Sequence, residues 1–208
     1  MEFVIRDGVL YEAVLSTLLD DSIYLAPIGF TKSGNRIYTK IYKGGLLEKA
    51  VLKAHRIALN ITYSPTIYTY TSLKAEFNGL NKLRELVIYD EKHGLPLLSN
   101  SIGYIVLERS QIVDQGEYYS IEYEIIDKWL NKEVVLEPYT RCYTAIIEIL
   151  VYATKIKALK DRADEKTLNK YRNIIEYNIE VTRKTCSLHE LLLVEQIQSW
   201  VEKWLEEK

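Results

Sequence analysis

Two lysines and two glycines sit where a strand pattern gives way to a helical one, and that junction has the residue types for binding an anion. The stretch from Tyr24 to Thr62 reads as strand, turn (Lys32-Ser33-Gly34-Asn35), strand, glycine pair, short helix, strand. In the second of these strands Ile37, Thr39 and Ile41 alternate with Tyr38, Lys40 and Tyr42, the period of two that one buried face requires. Lys40 and Lys43 then lead into Gly44 and Gly45, just ahead of the helical pattern Leu46, Leu47, Ala50 and Val51. A helix start carries free backbone N–H groups and a partial positive charge, so it can seat a phosphate. The alternative is two solvated lysines at a barrel edge, since exposed lysines rarely bind anything.

The elements around this junction form a small β-barrel. Val9 to Leu19 and Ser22 to Phe30 read as antiparallel strands joined at Asp20-Asp21. Pro27 has no N–H, which places it at an edge or bulge, where a break in pairing leaves backbone groups free to meet a ligand. Arg56 to Tyr63 is a further strand, and it carries Asn60 and Thr62. An asparagine there runs against strand propensity, so it either serves a ligand or caps a turn. Ser64-Pro65 opens one or two helical turns across Thr66 to Leu73. Asn78-Gly79 and Asn81 mark turns, Leu86 to Tyr89 reads as a strand, and Lys92 to Asn100 as a loop. Ser101 to Ser110 and Glu117 to Trp129 form a hairpin around Gln115-Gly116, with Tyr119, Ile121, Tyr123 and Ile125 alternating inward, and it completes the barrel.

After Pro138 the period changes. Cys142, Ala145, Ile146, Ile149, Leu150 and Ala153 predict a helix over 140–159. Asp164 caps a second helix to about Arg183, with Leu168, Tyr171, Ile175, Ile179 and Val181 inward. Ser187-Leu188-His189-Glu190 is a capping box opening a third, which carries Leu191, Val194, Ile197, Trp200 and Trp204. The expected fold class is therefore α+β: a barrel over 1–137 and an antiparallel three-helix bundle over 138–208.

A net charge of -2 and a pI near 6.0 give no electrostatic case for nucleic acid or anionic membrane. No apolar run approaches the roughly 20 residues that cross a bilayer. The start, MEFVIRDGVLYEA, has charges where a signal peptide is apolar. These features predict a soluble, cytoplasmic protein. Cys142 and Cys186 lie far apart without CxxC spacing, and two reduced buried thiols are favoured over a disulfide. Abundant isoleucine, tyrosine, lysine and glutamate with a single methionine point to a thermophile. His55, His93 and His189 stand alone without metal spacing, so no metal is expected. The 17 tyrosines are explained as strand and rim residues with an apolar body and a wet hydroxyl. Glu148, near Arg141 on an otherwise apolar helix face, either pairs with a basic residue across a subunit interface or faces solvent, and a structural ion pair is favoured. No GxSxG, HExxH, Walker or GxGxxG pattern occurs, and no general acid or base can be named.

In order and spacing, several segments resemble an uncharacterised, largely archaeal family that pairs an FMN-binding split β-barrel with a C-terminal helical segment. They are Tyr11-Glu12, Ala26-Pro27-Ile28-Gly29, Lys40-Ile41-Tyr42-Lys43, Leu59-Asn60-Ile61-Thr62 with Ser64-Pro65, Arg141, Ile147-Glu148, and Val151-Tyr152-Ala153-Thr154-Lys155. The resemblance implies a homodimer with FMN in a groove near the subunit interface. Backbone around Ala26, Pro27, Ile28 and Gly29 would face the isoalloxazine ring. The segment holding Lys40, Tyr42, Lys43, Gly44 and Gly45 would take the phosphate, and Asn60 and Thr62 would line the pocket. It implies a noncovalent flavoprotein in which the flavin performs redox chemistry on a substrate the sequence does not name.

One departure matters. Where relatives have a basic residue, any residue, Arg or Ser, then Thr, this chain has Lys43, Gly44, Gly45, Leu46. Glycine N–H groups can compensate as an anion-binding nest. Equally, the departure fits a cofactor-free homodimer acting as an interaction scaffold, or a barrel for another phosphorylated or pterin-like ligand. A charge-assisted contact contributes about 1.5–3 kcal/mol, so losing one or two weakens FMN binding roughly tenfold to several-hundredfold or more.

Overall fold

A computed structural model describes residues 4–132 and 140–207. β1 (Tyr11–Leu19) and β2 (Ser22–Ser33) meet at a two-residue turn in which Asp20 and Asp21 take φ of 50° and 61°. Two consecutive positive φ values give the turn whose twist matches that of the strands it joins. β3 (Arg36–Tyr42) returns after Gly34 at φ 57°, and α1 (Leu46–Lys53) and β4 (Arg56–Ile61) follow. Then come α2 (Pro65–Ser72), α3 (Lys74–Phe77), α4 (Gly79–Leu83), a 3-10 turn at Arg84–Leu86, β5 (Val87–Asp90), β6 (Leu95–Leu98), β7 (Gly103–Asp114) and β8 (Tyr118–Leu130). The chain ends in α5 (Arg141–Leu159), α6 (Glu165–Thr185) and α7 (Leu188–Glu206).

Six antiparallel strands close into a barrel in the order β1-β2-β3-β8-β7-β4. β4 returns to β1 with Val14 opposite Asn60 and Leu15 opposite Leu59. The α+β class, barrel and then three long helices, is the one the sequence pattern requires. Inside the barrel Leu15, Ile37, Ile41, Ile57, Leu59, Ile105, Leu107 and Ile121 are completely buried, each worth roughly 1.5–3 kcal/mol of apolar transfer. α1 adds Ala50 and Val51 to this core. Its open end is held by Arg109, whose Nη1 donates to the carbonyls of Val51 at 2.7 Å and Leu52 at 2.9 Å.

The segment read as loop between Lys92 and Asn100 contains β6, and all four of its residues are buried. β6 pairs with β5, and Leu95 and Leu97 pack with Ala58, Tyr104 and Val106 into a second core. That is why both faces of β4 are apolar.

The helical unit is wider than the expected bundle, because Tyr63–Lys82 belongs to it together with the helices from α5 onward. The expected boundary at 137–138 and Pro138 lie outside the described residues. Ser64 caps α2, Thr140 caps α5 and Asp164 caps α6, each accepting from a first-turn N–H. Glu190 accepts from the backbone N–H of Ser187 at 3.2 Å, the reciprocal half of the capping box. On α6 the deeply buried position is Thr182 rather than Val181, and on α7 it is Leu193 rather than Leu191. Glu148 is exposed, the solvent-facing alternative, and makes no ion pair among the described residues of the single chain. The cysteines also differ from expectation: Cys142 and Cys186 form a disulfide, with Cα atoms 5.0 Å apart. No described helix is long and apolar enough to cross a membrane.

Candidate functional site

β2 and β3 pair only from Phe30 opposite Thr39 to Ser33 opposite Arg36. Below that point they separate, and no strand pairs with 22–29 of β2 on the side away from β1 among the described residues. The alternation of an antiparallel ladder shows what this split exposes. Counting from the closing pair Leu19–Ser22, residues Tyr24, Ala26, Ile28 and Phe30 turn their N–H and C=O groups toward β1. Leu25, Pro27 and Gly29 therefore turn theirs into the split, and the count from the Ser33–Arg36 turn agrees. By the same parity Lys40 and Tyr42 turn their backbone groups into the split from β3. Pro27 has no N–H to contribute, so pairing cannot run on past it.

Of the four β2 residues expected beside a ring, Pro27 and Gly29 thus offer backbone groups outward. Ala26 and Ile28 give theirs to β1, and their side chains are buried in the barrel core.

The anion end is more committed. Gly44 takes φ 91°, a conformation open to glycine, and its N–H donates to Glu48 Oε2 at 2.7 Å. Gly45 caps α1 with extended backbone and no side-chain partner. Lys43 Nζ donates to both carboxylate oxygens of Asp114 at 2.7 Å and lies 4.7 Å from the centre of the Tyr119 ring. Lys43 and the Gly116 N–H hold the Asp114 carboxyl below the usual range, and Asp114 in turn raises the Lys43 ammonium. Lys40 projects outward over the ring of Tyr118 at 3.9 Å and that of exposed Tyr42 at 4.8 Å. A hydrogen bond from Lys40 to Tyr42 is the main cause of its raised pKa.

Asn60 is completely buried, and its amide is in use. Nδ2 donates to Val14 O and Ser16 Oγ, both at 2.8 Å, and Oδ1 accepts from the Leu98 N–H at 2.8 Å. Asn60, expected to line the pocket, here ties β4 to β1 and to β6. Thr62 is also buried.

Two partners escaped sequence reasoning. Glu48 carries a local signal, a glutamate in the first helical turn three residues beyond Gly45. Asp114 carries none, since it lies 71 positions from Lys43. His93 does not stand alone either. Its Nδ1 lies 2.5 Å from Asp90, its Nε2 lies 3.4 Å from Asp127, and its ring stacks on Trp129. No group of three or more metal-ligating side chains suited to an ion occurs among the described residues.

Residues 11–132 match the family model described as protein of unknown function (DUF447), N-terminal domain. The chain belongs to this family. Within DUF447, the crystal structure of an FMN-bound protein from Methanosarcina mazei is similar over 94% of this chain and 96% of that one, with a TM-score of 0.76 and 21% identity. A flavin reductase, HpaC, solved with NADP+, matches 65% of this chain and 85% of its own at TM-score 0.51 and 17% identity. An FMN-binding protein from Thermus thermophilus, with bound 1-cyclohex-2-enone, matches 64% and 82% at TM-score 0.50 and 13% identity. At these identities the likeness establishes the fold, a split barrel of the flavin-reductase kind. No curated protein matches the chain.

Proposed function

We propose that this DUF447 member binds a flavin noncovalently in the split between β2 and β3. The observation that carries the reading is the unpaired edge from Leu25 to Gly29 facing Lys40 and Tyr42. A row of backbone donors and acceptors, fixed by the barrel and left out of the ladder, suits the hydrogen-bonding edge of an isoalloxazine ring. The FMN-bound relative from Methanosarcina mazei, with the same fold, supports it. Bound flavin supplies hydride or electron transfer, and the chain's part is to position the ring, through Leu25, Pro27 and Gly29, and to shield it. The finer reading is a cytoplasmic homodimer with the flavin near the subunit interface, of oxidoreductase type. Light scattering that returns the mass of one chain would remove the dimer from it.

Fluorescence quenching tests the flavin itself. Purified protein should quench added flavin saturably, with about one flavin per chain. No quenching up to roughly 100 µM, weaker than about 5.5 kcal/mol of binding, would sink the reading. One observation favours the cofactor-free scaffold instead: Glu48 and Asp114 already occupy the Gly44 N–H and the Lys43 ammonium. The same titration separates the two.

A further inference from the structure

The corner where β3 gives way to α1 carries its own anions, and we infer that this barrel prefers a flavin without a phosphate, of the riboflavin class, to FMN. The inference rests on the flavin reading above and concerns the tail of the ligand, not its ring.

The donors a phosphate would use at this corner are engaged. The Gly44 N–H is given to Glu48, and Glu48 lies in the first turn of α1, where the helix dipole favours a negative charge. Lys43 holds both oxygens of Asp114, and the Gly116 N–H also donates to Asp114 Oδ1 at 2.8 Å. The carboxyl of Asp114 is held below its ordinary value, so the pair is fully charged at neutral pH. Lys40 is spread over two tyrosine rings, and the charge of Glu117 acts on it as well. The corner therefore sets three carboxylates, Glu48, Asp114 and Glu117, against two ammonium groups. A dianionic phosphate entering here must displace a carboxylate and meets a field that opposes it.

The ring side does not depend on this corner. Leu25, Pro27 and Gly29 present backbone groups regardless of what lies at α1. The terminal ribityl hydroxyl, which FMN carries as its phosphate ester, can donate to a carboxylate such as Glu48 or Asp114 where a phosphate dianion can only accept. Two charge-assisted contacts ordinarily favour a phosphorylated ligand by about a hundredfold or more. Here the carboxylates of Glu48, Asp114 and Glu117 compete for the same donors and oppose that advantage.

The test is a titration of the full chain with riboflavin and with FMN at one ionic strength, read by flavin fluorescence. Riboflavin is expected to bind as tightly as FMN or tighter. Glu48→Gln keeps an acceptor for the Gly44 N–H and removes the charge, and it should shift the affinity ratio about tenfold toward FMN. Asp114→Asn should shift it the same way, and circular dichroism verifies that both variants fold. FMN binding more than about tenfold tighter than riboflavin to the unaltered chain overturns the inference while leaving the flavin reading intact. So does a ratio that neither substitution moves. If neither flavin binds, the flavin reading falls and the inference falls with it.

Discussion

An asparagine inside a strand runs against propensity, and at Asn60 the cause lies in how the barrel is tied together. Three strands meet there, and a single amide satisfies Val14 O, Ser16 Oγ and the Leu98 N–H in a site with no access to water. Ser16 in turn donates to Pro96 O at 2.5 Å, so β1, β4 and β6 share one small polar network within apolar surroundings. Removing the amide leaves several buried groups unpaired at once. Asn60→Ala should lower stability by about 2–4 kcal/mol in urea unfolding, and a loss below about 1 kcal/mol would refute this role. Lys43 and Gly44 carry a similar lesson. Their chemistry suits an anion, as their types and spacing indicate, but the anions they hold are Asp114 and Glu48. Residue type alone reveals what a group can bind, and its neighbours decide whether it is free to do so.

Among the elements, β2 was legible for a physical reason, since a proline in a strand has one tolerable orientation. Pro27 faces the side where pairing stops, so restoring an N–H there gains no partner and removing the ring loses none. Pro27→Ala should leave the unfolding midpoint nearly unchanged. Ile28→Pro, one residue on, removes an N–H that the ladder alternation assigns to β1 opposite Ala13, and puts a proline ring in the core. It should cost about 3 kcal/mol or more, and comparable losses for the two variants would show the parity assignment to be wrong. β6 was illegible for the opposite reason. Its four residues, Leu95–Leu98, are buried on both faces, so no alternation exists to read. Pro96 and the preceding Gly94 also argue for a loop. α2, α5, α6 and α7 were legible because each carries a local cap: Ser64, Thr140, Asp164 and Ser187 in turn.

For the molecule as a whole, the disulfide changes the account. Cys142 opens α5 and Cys186 follows α6, so the bond closes a loop of sequence separation 44 within the helical unit. By the chain-entropy model such a loop contributes roughly 4 kcal/mol, at the upper end of the usual 2–4 kcal/mol. Replacing both cysteines by alanine should lower the stability of the helical unit by that order in chemical unfolding. Two reactive thiols in the unreduced, unfolded protein would remove the premise.

Short-range physics wrote most of the architecture into the chain in a form that could be read directly: turn chemistry at Asp20-Asp21, period two in β3 and β8, period 3.6 in α5, and caps at the helix starts. Those signals span a few residues and need no partner. The pairing of Cys142 with Cys186, the use of Asn60, the burial of β6 and the capture of Lys43 by Asp114 all join positions dozens of residues apart. Such contacts exist only once the chain has closed on itself. The anion seat could therefore be located from local pattern, and its occupant could not.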